Sequence, residues 1–384
     1  MTTPSYQFDF QPLTRVICGP GVLARLGETT RDLGGKRILL VTDPGLEEAG
    51  HAQRAEQYLR QAGLHVIVFD GVEENPTTKH VADGLAVAKR EKIDFIVSIG
   101  GGSAMDCAKG INFLFTNGGE MKDYWGIGKA TKPMLPSIGV PTTAGTGSEA
   151  QSFALVSDPV THFKMACGDK KVAFKVALLD PELTLTQPPR VAALTAMDAV
   201  THAIEAHVST KSNVLSRSFS REAWRLLHGH MKQVLTHPED IVARSAVQWG
   251  AHLAGLAIEN AMLGAAHALA NPLTAHYGMV HGQAVGLMLP HVIRYNGVQV
   301  AEGYADLLHA ANIQHQSGSA AQTLAQSILD IADVAELPRN LTSQGVSEGM
   351  LSVLADEAAQ QWTSKFNPRT VGYQELLTLY RSAL

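Results

Sequence analysis

Four side chains in the second half of the chain have the types and spacing of a metal site. Asp198 and His202 stand four positions apart in the segment AMDAVTHAIEAH, which in a helix puts both on one face, one turn apart. His267 and His281 follow 65 and 79 residues after His202, far enough to come from other helices. One carboxylate and three imidazoles suit Fe(II) or Zn(II), and such a site can polarise an alcohol or a carbonyl. The alternative is a plain hydrogen-bonded Asp–His pair in a chain with 16 histidines.

The elements that must position these residues fall into two kinds. The first half alternates short apolar runs with helical segments, which predicts a parallel sheet covered on both faces. The predicted strands are Arg37–Thr42, His65–Phe69, Phe95–Ile99, Leu135–Val140 and Val176–Leu179. After Pro181 the strand signals vanish, and from about Val191 the pattern is helical. We therefore predict an α/β N-terminal domain over residues 1–185, followed by an all-helical, metal-binding and catalytic domain over residues 186–384.

Two glycine-rich turns follow predicted strands of the first domain. The first is Gly100–Ser103 (GGGS), which leads into a helix, and the second is Thr142–Glu149 (TTAGTGSE). Free backbone N–H groups at such turns and at a helix N-terminus bind phosphate. One such turn is common without a ligand, but two after parallel strands indicate a dinucleotide at the carboxyl ends of the strands. The usual GxGxxG fingerprint is absent.

Asp43 ends the strand Arg37–Thr42 and has two possible roles. Its carboxylate can accept a hydrogen bond from an adenosine ribose hydroxyl and repel a 2′-phosphate, which favours NAD over NADP. It can equally be a turn or N-cap residue before Pro44.

Composition excludes several classes of protein. The net charge is −5 and the sequence contains no block of Lys or Arg, so we expect no nucleic acid partner. We expect no membrane span, because no apolar run approaches about 18 residues, and the N-terminus lacks the pattern of a signal peptide. Cys18, Cys107 and Cys167 form no CxxC motif, which is typical of a cytoplasmic protein. Cys107 lies beside the first glycine turn, and we expect it to pack in the core.

Taken together, these segments resemble the iron-containing alcohol dehydrogenase family. The matches are VTD at Val41–Asp43, GGGSAMDCAKG at Gly100–Gly110, PTTAGTGSE at Pro141–Glu149, DPEL at Asp180–Leu183, MDAVTHAIEAHVS at Met197–Ser209, HA at His267–Ala268 and HGQAVGLMLPHV at His281–Val292. The family's 14-residue step between the last two metal histidines is present, since 281 − 267 = 14.

The resemblance implies an NAD-dependent enzyme with Fe(II), or else Zn(II), on the four metal residues. It transfers a hydride between NAD and an alcohol, aldehyde or ketone, and we expect a homodimer or larger homo-oligomer. The positions that match the family's nucleotide site are Asp43, Asn75, Gly101, Gly102, Ser103, Thr142, Thr143, Thr146 and Lys164. Asn75 and Lys164 follow from the resemblance alone.

One position departs from the family pattern. Many members carry a histidine four residues after the third metal ligand, where it takes part in proton transfer, but this chain has Asn271. An amide cannot titrate, so a relay through this position is excluded. His276, five residues further on, is our candidate catalytic replacement; the alternative is a helix-end role.

Two other functions stay open at this point. A lyase of the dehydroquinate synthase type shares the general architecture and uses NAD transiently, so net NADH production separates it from a dehydrogenase. A non-catalytic nucleotide- or metal-binding protein is the other. Simple alcohols, diols, hydroxyaldehydes and sugar-acid alcohols all remain possible substrates.

Overall fold

The computed structural model describes residues 8–160 and 163–384, and the chain divides into two compact units. The α/β unit comprises Phe10–Thr143 and Ser148–Gln187. The helical unit comprises Ala144–Gly147 and Pro188–Leu384, together with residues 8 and 9. The domain boundary between residues 185 and 186 stays a prediction. The N-terminal segment used to exclude a signal peptide lies partly outside the described residues.

The α/β unit is built on a parallel sheet of six strands, which confirms the predicted fold class. Their order across the sheet is β1, β9, β6, β4, β2, β3, and every neighbouring pair is parallel. The strands are β1 Arg15–Cys18, β2 Arg37–Val41, β3 His65–Phe69, β4 Phe95–Gly100, β6 Ser137–Pro141 and β9 Val176–Leu179. A smaller sheet holds β5 Gly126–Ile127, β8 Lys164–Gly168 and β7 Phe153–Ser157, with β7 and β8 antiparallel.

The five predicted strands are all present, because most of their residues are buried; β3, at the edge of the sheet, is buried only in part. Strands β4, β6 and β9 are buried at every position. The structure adds β1, which pairs with β9, and the smaller sheet, neither of which we predicted. Those strands are short or only partly buried, so their apolar signal is weak.

The strand order locates the ligand edge of this sheet. From β2 the chain moves outward to β3 and then crosses back, so that β4 lies on the other side of β2. This reversal makes the carboxyl ends of β2 and β4 the switch point, where ligands of open α/β sheets bind. Asp43 and the turn Gly100–Ser103 follow these two strands.

Helices connect the strands and make up nearly all of the helical unit. In the α/β unit they are α1 Leu26–Asp32, α2 Pro44–Glu48, α3 His51–Gln61, α4 Thr78–Glu91 and α5 Gly102–Asn117. In the helical unit they are α6 Pro189–Val208, α7 Val214–Thr236, α8 Ile241–Ala261, α9 Ala265–Tyr277, α10 His281–Ala310, α11 Ala320–Val334, α12 Leu351–Gln360 and α13 Tyr373–Ser382. Helix α10 is kinked at Val300, whose backbone is non-helical.

Two glycines of α10 let it approach α6 closely. A Cβ at Gly282 would lie 2.0 Å from the carbonyl oxygen of Leu194, and one at Gly286 would lie 2.4 Å from Cγ of Met197. Both distances are far below van der Waals contact, so only glycine permits this packing. The close approach brings the start of α10 next to the middle of α6.

In the described part of the chain, no helix taken singly has the length and apolar character needed to cross a membrane. Helices α8 and α9 pass that test of length and composition only as a pair, and the two are bent by 106°.

Candidate active site

One face of α6 carries two carboxylates and one imidazole. Asp198, His202 and Glu205 follow at steps of four and three residues, so they share a face of the helix. All three are buried. The rest of the helix packs through small and apolar side chains, so this polar face is enclosed by protein.

The other two histidines stand at the beginnings of helices. His267 is the third residue of α9, and His281 is the first residue of α10. Helix α9 ends at Gly278, which takes the left-handed conformation with φ of 61° and turns the chain toward α10. The step of 14 residues between the two histidines is thus one helix plus one turn.

The four side chains converge on one carboxylate oxygen. The Nε2 atoms of His202, His267 and His281 lie 3.3, 3.5 and 3.6 Å from Oδ1 of Asp198. The ligand atoms of Asp198, His267 and His281 all lie within 4.8 Å of one another. Ligands at about 2.0–2.1 Å from a tetrahedral Zn(II) are about 3.3 Å apart. The observed spacing therefore fits a divalent cation.

Three atoms of this cluster have no hydrogen-bond partner. They are Oδ1 of Asp198, Nδ1 of His202 and Nε2 of His267, and all three are buried. An unpaired buried charge costs several kcal/mol, roughly, unless another charge or a metal compensates it. A cation at the centre of the cluster removes that cost, so the residues present fit a bound metal. The side chain of His281 is 27% exposed, so the cluster is accessible on that side.

Electrostatics within the cluster favour a charged carboxylate on Asp198 and a neutral imidazole on His202, but a protonated imidazole on His267. Burial raises the pKa of Asp198, but the imidazoles of His202, His267 and His281 more than offset it and hold the pKa below its usual range. Burial lowers the pKa of His202 to about 4, because it outweighs the nearby Asp198. Burial also opposes charging of His267, but Glu205 and Asp198 together raise its pKa to about 9. A metal must therefore displace a proton from His267.

In the α/β unit, the glycine turn after β4 lies against Asp43 and Thr143. A Cβ at Gly100 would lie 3.4 Å from Oδ2 of Asp43, and one at Gly101 would lie 3.4 Å from Cγ2 of Thr143. The N–H of Thr142 donates to the carbonyl of Gly100 at 3.0 Å. These contacts place the residues predicted after β2, β4 and β6 at one edge of the sheet.

Helix α5 starts at this edge without a side-chain cap. Its N-cap is Gly101, which has no side chain to accept the first N–H groups. Gly102 and Ser103 form the first turn and are only half-buried. Uncapped N–H groups at the start of a 16-residue helix are a binding site for an anion such as pyrophosphate.

The structure shows one of the two roles proposed for Asp43, that of an N-cap, and its role at the ribose stays a prediction. It is the N-cap of α2, and its Oδ1 accepts from the N–H of Leu46 at 3.2 Å. Burial raises the pKa of the half-buried carboxyl, against the backbone N–H groups of Leu46 and Gly45, which lower it. Its Oδ2 lies on the side of Gly100, at the glycine turn, and is not the oxygen that accepts from Leu46.

Three further predicted cofactor residues are linked to each other. The N–H of Asn75 donates to Oγ of Ser103 at 3.3 Å, and Nζ of Lys164 donates to Oδ1 of Asn75 at 3.0 Å. The network places Asn75 and Lys164, which composition alone does not single out, beside the start of α5. Asn75 has a φ of 53°, an uncommon conformation that asparagine tolerates.

Thr146 belongs to the helical unit, in the short segment Ala144–Gly147. A Cβ at Gly145 would lie 2.6 Å from Cβ of Thr195, and one at Gly147 would lie 2.6 Å from Cα of Gly255. These glycines are therefore required for close packing against α6 and α8. Thr146 itself is half-buried.

Comparison with known proteins decides the family. The model of the iron-containing alcohol dehydrogenase family matches residues 13–181, and the model of the C-terminal part of that family matches residues 192–384. Together they cover nearly the whole chain. The chain belongs to the iron-containing alcohol dehydrogenase family.

Relatives and solved structures of the family agree over the full length. The 1,3-propanediol dehydrogenase of Klebsiella pneumoniae is 37% identical, with 98% of each chain covered. The NAD-dependent methanol dehydrogenase of Bacillus methanolicus is 32% identical, covering 98% of this chain and 99% of its own. A crystal structure of a 1,3-propanediol oxidoreductase superposes with a TM-score of 0.95 at 36% identity, covering 98% of this chain and all of that chain. The protein is therefore an NAD-linked oxidoreductase, and the lyase is not favoured.

Within this family, the Asn271 position gains a structural explanation. Asn271 lies one turn after His267 on the same face of α9. Its Nδ2 donates to Oε1 of Gln361 at 2.8 Å, which fixes the orientation of the amide.

His276 lies at the far end of α9. It is nine residues after His267, which is about 13 Å along the helix and on the opposite face. Its Nε2 is 2.8 Å from a carboxylate oxygen of Glu357 on α12. This geometry favours the helix-end role, and the catalytic assignment of His276 stays a prediction.

Sequence reasoning did not single out two buried polar groups. Glu205 contacts His267 directly, and its spacing of three residues from His202 was the available signal. In the α/β unit, Nζ of Lys109 donates to the carbonyl and the hydroxyl of Ser148 and to the carbonyl of Phe153, at 2.7–2.9 Å. The hydroxyl of Ser148 donates to Asp106. This cluster ties α5 to the chain that follows the second glycine turn.

Proposed function

We propose that the protein is an Fe(II)-dependent dehydrogenase that oxidises small alcohols or diols with NAD and reduces the matching aldehydes. The observation that carries this proposal is the group of three imidazoles, two of them buried, around an Asp198 oxygen that has no hydrogen-bond partner. That donor set is made of nitrogen and oxygen atoms, which suit Fe(II) and leave Zn(II) as the alternative metal.

Asp198, His202, His267 and His281 would hold the metal. Asp43, Asn75, Gly101, Gly102, Ser103, Thr142, Thr143, Thr146 and Lys164 would hold the dinucleotide. When bound, the metal makes an alcohol hydroxyl more acidic or polarises a carbonyl, and the nicotinamide accepts or gives the hydride.

The residues of this chain supply binding and selectivity. The first turn of α5 receives the pyrophosphate through its N–H groups, aided by the positive helix end. The carboxylate of Asp43 accepts from a ribose hydroxyl and repels a 2′-phosphate, which selects NAD. The amide of Asn271 cannot accept and release a proton, so the proton of the substrate hydroxyl leaves by a route that does not include this residue.

The substrate proposal rests on the relatives. Those named for 1,3-propanediol and for methanol align over 98% of this chain. Both compounds are short primary alcohols, so we propose a short primary alcohol or a diol here.

Anaerobic purification tests the proposal. We expect about one iron or zinc per chain and NADH formation with 1,3-propanediol, methanol or another short alcohol in a panel that includes hydroxy acids. Net NADH production also excludes the lyase, which regenerates its NAD. Absence of metal even after reconstitution would contradict the assignment of the four ligands.

Variants separate the metal from the nucleotide. Asp198→Ala and His267→Ala should lose metal and turnover yet still bind NAD, as measured by calorimetry. His276→Ala serves for comparison: retained turnover favours its helix-end role, and lost turnover supports the catalytic prediction. Asp43→Gly should lower the ratio of kcat/KM with NADH to kcat/KM with NADPH, because the repulsion of the 2′-phosphate is lost. An unchanged ratio would argue against a role of Asp43 at the ribose.

We also propose a cytoplasmic enzyme that forms a homodimer or a larger homo-oligomer, with small molecules rather than nucleic acid or membrane as partners. The free state of Cys18, Cys107 and Cys167 supports a reducing compartment. Light scattering during size-exclusion chromatography measures the oligomeric state.

A further inference from the structure

We propose that Glu205 is the positioning residue that prepares His267 for the metal, by holding the proton of that imidazole on Nδ1. This inference rests on the proposed metal centre. Glu205 lies on α6, seven residues after Asp198 and on the same face, and it is 5% exposed. It connects α6, the helix that carries Asp198 and His202, to His267 on α9.

The hydrogen bonds of Glu205 define which atom of His267 carries the hydrogen. Oε1 accepts from the N–H of Ala266 at 2.7 Å, and Oε2 accepts from the N–H of Gly264 at 2.9 Å. The carboxylate thus acts as an acceptor toward its surroundings. Oε2 lies 2.6 Å from Nδ1 of His267, so Nδ1 is the donor. In the neutral imidazole, the lone pair of Nε2 then lies on the side of Asp198, which is what a metal ligand requires.

The same carboxylate holds the start of α9 in place. Gly264 is the N-cap, and a Cβ there would lie 2.9 Å from Oε1 of Glu205, so the contact depends on glycine. A negative charge at a helix N-terminus is favourable. Two bonds to the backbone and one to the ring therefore fix both the position and the tautomer of His267.

Asn367 provides a matched control at the same helix end. Its Oδ1 accepts from the N–H of Ala265 at 3.3 Å, between the two amides that Glu205 binds. It also bonds to Asn296 and to the carbonyl of Arg369, away from the imidazole. Loss of Asn367 removes a cap of α9 and leaves the bond between Glu205 and His267 in place.

Glutamine cannot replace Glu205, because all three neighbours are donors and an amide has only one acceptor oxygen. If its oxygen faces Ala266, its NH₂ faces Nδ1 and forces the hydrogen of His267 onto Nε2. If its oxygen faces Nδ1, its NH₂ opposes the N–H of Ala266 and strains the helix start. Aspartate keeps two acceptor oxygens on a shorter stem.

The test measures Zn(II) affinity of the metal-free full-length protein by competition with a chromophoric chelator at fixed pH. We expect Glu205→Gln to lose about 10–100-fold in affinity, Glu205→Asp to lose less, and Asn367→Ala to stay close to the native protein. Circular dichroism and denaturant midpoints of the metal-free proteins report their folding. If Glu205→Gln does not fold, Glu205→Asp is compared with Asn367→Ala by the same criterion.

Equal affinity in the Glu205 variants and in Asn367→Ala would overturn the inference, because capping alone would then explain the contacts. A native protein that does not bind Zn(II) at all would contradict the metal centre itself. The two failures are distinguishable, since the first requires a native protein that does bind Zn(II).

Discussion

Because α6 and α10 are in close contact, we expect metal binding to be sensitive to a single methyl group at a residue that is not itself a ligand. Gly282 follows His281 directly, and a Cβ there would lie 2.0 Å from the carbonyl oxygen of Leu194. Real Cβ atoms essentially never approach another heavy atom closer than 3.0 Å, so Gly282→Ala must separate the helices by about 1.0 Å (3.0 − 2.0). Ligand distances in metal sites tolerate only about 0.2 Å of change. The displacement is five times that tolerance.

We therefore expect Gly282→Ala to weaken Zn(II) binding by roughly tenfold or more, which is about 1.4 kcal/mol. Overpacking costs about 1–3 kcal/mol, and the gain in helix propensity returns about 0.5–1 kcal/mol. The net loss of unfolding free energy is thus about 0–2.5 kcal/mol.

Chelator competition and urea denaturation of the metal-free protein measure these two effects. Gly229→Ala on α7 is the matched control, because no atom lies within 4 Å of its Cβ position. It should gain stability and leave Zn(II) affinity unchanged. Native affinity in Gly282→Ala would refute the reasoning that the spacing of α6 and α10 sets the ligand geometry.

Two further predictions concern the α/β unit. Burial, opposed by Lys109, raises the pKa of Asp106 to about 6 from 3.8, so between these pH values the folded state binds more protons than the unfolded chain. The stability that this group contributes therefore falls as the pH rises through that window. In Asp106→Asn, the denaturant midpoint should change less with pH in this window. A midpoint that depends on pH as steeply as in the native protein would contradict the prediction. Cys18 is exposed, while Cys107 and Cys167 are buried with raised pKa values, so a thiol reagent should modify one cysteine in the native protein and all three after unfolding.

The main strands and helices could be predicted from the sequence because burial restricts which residue types an element can contain. Strands such as Phe95–Gly100, buried at every position, require continuous apolar residues, and the helical unit requires helical spacing. Strand β1 and the strands of the smaller sheet were not predicted from the sequence. Strand β1 is short and partly exposed, and it forms through pairing with β9, which is distant in the chain.

That the four proposed metal residues come together was predictable in part for a similar reason. Asp198 and His202 are one helical turn apart, so their convergence is a property of local geometry. His267 and His281 came from residue type and from the family's 14-residue step. The cofactor residues Asn75 and Lys164 came from the resemblance alone, and the structure joins them by a bond across 89 positions of sequence.

By itself, the sequence determined the chemical types at the site, the helical face of Asp198 and His202, and the two kinds of element. Only the tertiary structure decided that Glu205 binds Nδ1 of His267 and that Gly282 allows α10 to approach α6. Both depend on contacts between helices far apart in the chain. Local spacing defines which side chains share a face, whereas the distance between two faces is decided by the packing of whole helices.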